Sequence, residues 1–303
     1  MSQTKWTEAS IPDQTGRTVF ITGANTGIGF EAARALAEHG ARVLIGCRNA
    51  DKAEAAADRI RASATQADIA IISLDLADLA SVRAAAAVVN EESQLDLLIN
   101  NAGVMALPHR TTSDGFEMQF GTNHLGHFAL TGLLIDKLNA TPAARVVSVS
   151  SQGHRMGRID FDDLNAERRY HRWLRYGMTK VSNLFFTYEL QRRLESAENT
   201  TIAVACHPGG AKTELARDAG KLMKFTQPVA NLVTQSASMG ALPTLRGATD
   251  PDVKGGQYYG PDGIGQSRGH PVKVHSNGYS HRADIAERLW VESEKLTGVA
   301  YLD

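Results

Sequence analysis

Short apolar runs alternate with helically spaced apolar positions along most of the 303 residues. The run Thr18-Val-Phe-Ile-Thr22 is uncharged and β-branched, as a strand covered on both faces must be. Residues 27–40 follow at helical spacing, with Gly40 placed to stop the helix as its C′ residue. Similar apolar runs at 42–46, 69–74, 95–99, 145–149 and 202–205 predict five more strands. Helical patterns predict helices at 50–63, 81–90, 116–138, 172–195, 228–247 and 283–296. Residues 254–281 are dense in Gly, Pro and polar side chains and read as loop. Strands of this kind with helices between them predict a parallel sheet covered on both faces, a doubly wound α/β fold. Length alone, at ~150 residues per domain, allows two domains. No linker, repeat or low-complexity block divides the chain, so the expectation is an extension over 1–16 and a single domain over 17–303.

Composition narrows the class of partner. A net charge of −1 argues against a nucleic-acid surface or an anionic membrane. The basic stretch at 168–172 is short and reads as a solvated helix start. Cys47 and Cys206 are the two cysteines, too few for a disulfide framework, which favours a reducing, cytoplasmic setting. The first residues are polar, without the apolar core of a signal peptide. The greasiest run, 127–135, falls well short of the about 20 residues a bilayer span needs, so no membrane anchor is expected.

The first strand leads directly into Thr22-Gly23-Ala24-Asn25-Thr26-Gly27-Ile28-Gly29. Glycines there allow a tight turn and the approach of a pyrophosphate to the amides of a helix N-terminus. The same octet also serves as an ordinary strand–helix turn, but its place after the first buried strand favours the dinucleotide reading. A ribose-binding acid is usual about 20 residues on. Here the second strand ends in Cys47-Arg48-Asn49 instead. Arg48 is placed for a 2′-phosphate, which points to NADP(H) over NAD(H); its alternative is a solvated loop residue.

Four further motifs follow in order: Asn100-Asn101-Ala102-Gly103 with Asn123 in the next helix, Ser150-Ser151, Tyr176-Gly-Met-Thr-Lys180, and His207-Pro208-Gly209 with Thr213. Together with the glycine loop they resemble the short-chain dehydrogenase/reductase family over nearly the whole chain. The segment Asn123-His-Leu-Gly-His127 and the long stretch between Ser151 and Tyr176 are similar to its retinol-dehydrogenase-like members. Many animal members of that group carry an apolar N-terminal anchor, which these first residues do not show. The resemblance implies a Rossmann fold with sheet order 3-2-1-4-5-6-7 and hydride transfer between a nicotinamide cofactor and a carbonyl or alcohol. It also implies that Gly23, Asn25, Thr26, Gly27, Ile28 and Gly29 hold the cofactor phosphates. Arg48, Asp75, Leu76, Asn101, Ala102 and Gly103 would hold the adenosine side, with Asp75 accepting from the adenine amine. Tyr176, Lys180, Pro208, Gly209 and Thr213 would line the nicotinamide side. Ser151 would bind the substrate oxygen, Lys180 the ribose hydroxyls, and Asn123 a proton-relaying water.

The residues themselves support the chemistry. Reducing a carbonyl requires a hydride on carbon and a proton on oxygen. Tyr176 and Lys180 stand four apart on one helix face. Bringing a phenol from ~10 to ~7 takes about 4 kcal/mol. One charge at ~4 Å supplies about that at an effective dielectric of ~20. Burial of the phenol works in the other direction.

Other signals carry less. His124, His127 and His154 lack acidic or thiol partners at ligand spacing, so a metal site is not expected. Ser151 with His154 is not a hydrolase pair, because no Gly-x-Ser-x-Gly elbow occurs. The segment 213–226 reads as a lid, in which Leu215, Leu222, Met223 and Phe225, with Met156, would form an apolar wall. That favours a lipophilic small-molecule aldehyde, ketone or secondary alcohol; the alternative is that these residues pack on the core or a partner. Val181, Leu184, Phe185, Phe186, Tyr188 and Leu190 exceed one helical stripe, from which a homodimer or homotetramer is expected. A second functional reading is a catalytically silent NADP(H)-binding regulator or scaffold.

Overall fold

Eight strands form one sheet in a computed structural model that describes residues 5–210 and 235–302. They are β1 (Thr18–Thr22), β2 (Arg42–Cys47), β3 (Ile69–Ser73), β4 (Leu97–Asn100), β5 (Arg145–Val149), β6 (Ile202–Cys206), β7 (Tyr258–Pro261) and β8 (Pro271–Lys273). The order is β3-β2-β1-β4-β5-β6-β7-β8, parallel throughout except for the antiparallel β7–β8 pair. Among the described residues the helices are α1 (Gly27–Glu38), α2 (Ala50–Ser63), α3 (Leu79–Asn90), α4 (Gly126–Ala140), α5 (Arg172–Ser196), α6 (Ala237–Thr249) and α7 (Ala283–Thr297).

Strand periodicity explains the double winding. Val19 and Ile21 of β1 point to one face, where Val43, Ile45, Leu97 and Ile99 meet α1, α2 and α6. Phe20 points to the other, with Leu44, Leu98 and Val146 against α3, α4, α5 and α7. The described part of the N-terminal extension is tied down by the Glu8–Arg34 ion pair at 2.8 Å and by Ile11 in the core.

Three expectations change. The 254–281 segment, read as loop, contains β7 and β8. Their strands are short, and the pairing of Tyr258 with Ala205 and of Tyr259 with Cys206 supplies order that local composition does not. The single helix expected over 116–138 is instead a turn at Met118–Phe120, a π-helical turn at Gly121–Leu125, and then α4. Gly126 sits where a Cβ would lie 2.5 Å from the Leu76 carbonyl, so the bend brings this segment close against the loop after β3. The apolar surplus on α5 is consumed within the chain. Val181 and Phe185 pack with Ala286 and Leu289 of α7, Phe186 and Leu190 with Trp290, and Leu184 and Tyr188 with Ala205, Tyr258 and Val274. The sequence argument for pairing two copies through this helix therefore loses its ground. The expected lid at 213–226, with Thr213, Leu215, Leu222, Met223 and Phe225, lies outside the described residues. So does the first part of the helix expected at 228–247.

Candidate active site

The loops at the carboxyl ends of β1, β4, β5 and β6 converge, and close approach between them depends on glycine. Gly23, at φ +68°, would place a Cβ 2.9 Å from that of Ala102. A Cβ on Gly29 would lie 2.4 Å from Asn101 Nδ2 and 2.5 Å from the Gly23 carbonyl. The two loops are also stitched by hydrogen bonds. Asn101 Nδ2 donates to the Thr22 carbonyl at 2.8 Å, and Thr22 Oγ1 accepts from the amides of Asn101 and Ala102, both at 3.0 Å.

The start of α1 suits an anion. Asn49, Asp78, His171 and Ser236 cap α2, α3, α5 and α6 with side-chain hydrogen bonds, whereas Thr26 gives α1 none. The amides of its first turn thus have no side-chain cap, which is the arrangement a phosphate requires. Ile28 turns its side chain into the core, so its backbone alone faces that site. Leu76 likewise packs in the core. Arg48 projects beyond β2 with three quarters of its side chain exposed, Nη1 standing 3.5 Å from Asp75 Oδ2. Asp75 also accepts from the Ala77 amide at 3.0 Å through Oδ1. Pro208 and Gly209 follow β6, with Gly209 at φ +65°. The residues fit a dinucleotide laid across the loops.

Tyr176, Lys180, Ser151 and Asn123 meet beyond β5. Tyr176 and Lys180 lie on α5, the ammonium nitrogen 5.8 Å from the phenol ring centroid and 3.0 Å from the Val149 carbonyl, to which it donates. Ser151 opens a tight turn, its Oγ accepting from the Gly153 amide at 3.1 Å. That turn lies against α5 at backbone distance. A Cβ on Gly153 would be 3.2 Å from Tyr176 Cε1, and one on Gly157 2.2 Å from the Gly177 carbonyl. Asn123, fully buried in the π-helical turn, donates to the Val104 carbonyl at 2.9 Å and to Thr179 Oγ1 at 3.0 Å. Its Oδ1 accepts from the Val104 amide at 2.7 Å. Gly103 joins the two groups: a Cβ there would lie 3.1 Å from Asn123 Oδ1 and 3.6 Å from Lys180 Nζ.

Burial dominates the electrostatics. It raises the Tyr176 phenol above its ordinary range, while a hydrogen bond from Ser151 pulls the other way. Burial also lowers the Lys180 ammonium to about 8. One charge at ~4 Å would suffice to acidify the phenol; here Lys180 Nζ stands 5.8 Å from the ring centroid, and loss of hydration is the largest influence. A proton is therefore held on Tyr176 Oη near neutral pH.

Sequence reasoning missed several supports. His127 links Thr22 Oγ1, at 2.9 Å, to the Asn123 carbonyl, at 3.1 Å. Glu117 and Arg175 form a buried pair at 2.9 Å immediately before Tyr176. Gly153, Gly157 and Gly177 give the turn its closeness to α5. The spacing of Gly153 and Gly157 just after Ser151, with Gly177 directly after Tyr176, was the available signal. His154 bonds the Ser151 carbonyl at 2.7 Å.

The fold and these loops define an oxidoreductase of the short-chain dehydrogenase class. The short chain dehydrogenase family model matches residues 17–223, and the chain belongs to that family, whose members bind nicotinamide cofactors. At the next level it is similar to human retinol dehydrogenase 13, with 42% identity over 96% of this chain and 87% of that protein. Human retinol dehydrogenase 12 is also 42% identical, over 94% of this chain and 88% of its own length. A crystal structure of an uncharacterised protein from Mycobacterium paratuberculosis is 43% identical and superposes with a TM-score of 0.83, covering 98% of this chain and 99% of that one.

Proposed function

We propose that the protein transfers a hydride between NADP(H) and the carbonyl or alcohol carbon of a lipophilic small molecule, with Tyr176 as acid/base. The observation that carries this reading is the buried Tyr176 phenol, beside the Ser151 hydroxyl and one helical turn from Lys180, at the mouth of the glycine-lined cradle. When bound, the nicotinamide ring supplies or takes up the hydride. The cradle of Gly23, Asn25, Thr26, Gly27, Ile28 and Gly29 holds the phosphates, and Asp75, Leu76, Asn101, Ala102 and Gly103 hold the adenosine side. Arg48, three-quarters exposed and held by Asp75 only at 3.5 Å, meets a 2′-phosphate. Pro208 and Gly209 flank the nicotinamide end.

In the reducing direction Tyr176 Oη gives its proton to the substrate oxygen, and Ser151 Oγ donates a hydrogen bond to the same atom. The raised phenol suits the acid role, since it keeps the proton until the oxygen becomes basic. Lys180, lowered to about 8, stays mostly charged near neutral pH and serves as the next group in the proton path. Asn123 keeps the backbone beside Lys180 in place through Val104 and Thr179. Met156, half exposed just beyond Ser151, favours an apolar substrate wall. A cytoplasmic setting is part of this proposal and rests on both cysteines being free and buried. Among the described residues no helix is long and apolar enough to cross a membrane.

The test is NADPH consumption with aliphatic, steroid, terpenoid and polar carbonyls, beside Tyr176→Phe. Turnover of apolar substrates should fall at least about a hundredfold in the variant while cofactor binding persists. Activity confined to sugars removes the lipophilic assignment. Equal turnover in the variant removes the acid/base assignment, and a wild type inert to every class returns the protein to the silent NADP(H)-binding reading.

A further inference from the structure

Gln266 occupies an unusual position. It lies in the turn between β7 and β8 with φ +55°, a left-handed conformation that non-glycine residues rarely adopt. Its Oε1 receives two hydrogen bonds from separate parts of the site: Gln152 Nε2 at 3.0 Å and His207 Nε2 at 3.1 Å. Gln152 is the neighbour of Ser151. His207 opens the turn to Pro208 and Gly209.

The direction of every bond in this chain is fixed by its ends. Arg155 Nε can only donate, and it does so to Gln152 Oε1 at 2.8 Å. Gln152 must then offer Nε2, which requires Gln266 to present its oxygen. At the other end, the Gly209 amide can only donate, and it reaches His207 Nδ1 at 3.2 Å. His207 must therefore carry its proton on Nε2 and donate it to the same Gln266 oxygen. Both halves converge on one atom without conflict. The imidazole is also closely confined, since a Cβ on Gly260 would lie 2.1 Å from His207 Nε2, and the Tyr258 ring stands 5.2 Å away between centroids. Burial keeps the ring neutral, with a pKa lowered to about 4.

We propose that Gln266 is a positioning residue whose carbonyl oxygen locks the Ser151 turn to the His207–Gly209 turn and, together with the Gly209 amide, holds the His207 tautomer. This rests on the proposed hydride-transfer reading, in which the first turn faces the substrate oxygen and the second the nicotinamide end. The β7–β8 connection is then a clasp between the two halves of the reaction site. It also accounts for a glutamine in the left-handed region: the side chain reaches both turns from that backbone position, and glycine would remove the contacts.

The test compares Gln266→Met, which keeps the shape and loses the acceptor, with Gln266→Glu, which keeps two acceptor oxygens, and with Gln266→Gly, which relaxes the backbone. The first readout needs no turnover. Histidine labelled with nitrogen-15 should show His207 as the Nε2–H tautomer in the wild type and in Gln266→Glu. In Gln266→Met and Gln266→Gly that signature should be lost or averaged, with faster amide exchange at both Gly153 and Gly209. The second readout is kinetic: kcat/KM should fall about ten- to a hundredfold in Met and Gly and recover in Glu to within about threefold. Unchanged tautomer and exchange in Gln266→Met overturn the proposal, as does a Glu variant as impaired as Met. If the wild type proves inactive, the tautomer and exchange results still decide the clasp, while the hydride-transfer reading falls separately.

Discussion

The Nδ1 atom of His127 stands 3.1 Å from the carbonyl oxygen of Asn123, and the opposite ring nitrogen 2.9 Å from Thr22 Oγ1. One buried imidazole therefore ties the end of β1 to the π-helical turn beside Lys180. Thr22 Oγ1 already accepts two amides and has a hydroxyl proton to give, so His127 Nε2 accepts and Nδ1 carries the ring proton.

That geometry predicts acid sensitivity. Burial lowers His127 to about 4 and His124 to about 3, against 6.5 for both when exposed. Between those values and 6.5 the unfolded chain binds more protons than the folded one, so falling pH favours unfolding. The stabilisation is complete above about pH 6.5 and is lost as pH drops toward 4, amounting to roughly 3 kcal/mol for His127 alone. Urea midpoints should decline steadily from pH 7 to 5. A flat series rules the explanation out.

Gly157 offers a test of the turn beside Tyr176. In Gly157→Ala the new methyl would meet the Gly177 carbonyl at 2.2 Å, a backbone atom held inside α5. The turn must lift, at about 1–3 kcal/mol, and draw Ser151 and Gly153 from the phenol. The expected result is a lower melting temperature, a reduced kcat, and a nearly unchanged cofactor dissociation constant. Equal loss of cofactor affinity would mean that the damage has spread beyond the turn.

Arg48 tests the cofactor assignment. Because most of its side chain is exposed, solvent screening holds its contribution to the lower end of the range for charged hydrogen bonds. Arg48→Ala should raise the KM for NADPH about tenfold and leave that for NADH within about twofold. A wild type that prefers NADH contradicts the assignment at once.

The covering of α5 by α7 and the β7–β8 edge predicts that its apolar residues are not where two copies meet. In light scattering at micromolar concentrations, a charged substitution at an exposed position of α5 such as Leu174 should leave the mass unchanged, whether that is one protomer or the expected dimer or tetramer. A stable dimer dissociated by a charged substitution on an α5 residue would show the packing to be misjudged.

The strands from β1 to β6 were legible because buried parallel strands have to be continuously apolar. The glycine cradle was legible because close backbone approach excludes other residues. Tyr258 and Tyr259 gave no such signal, since two aromatics among Gly and Pro become a strand only against Ala205 and Cys206. The break at Gly121–Leu125 was hidden for a related reason: its apolar spacing still reads as a helix, while the contact that bends it comes from Leu76. Tyr176 and Lys180 could be paired from spacing. The depth at which the Ser151 turn and the end of β5 bury them, which raises the phenol, could not.

β8 closes one margin of the sheet and makes it a poor template. It has three residues, opens on Pro271, which carries no amide proton, and the Pro271 carbonyl already accepts from Arg246 Nη1 at 2.6 Å. An incoming strand from another molecule finds hardly a rung to grip there. That border is thus a weak place for cross-chain strand pairing to begin.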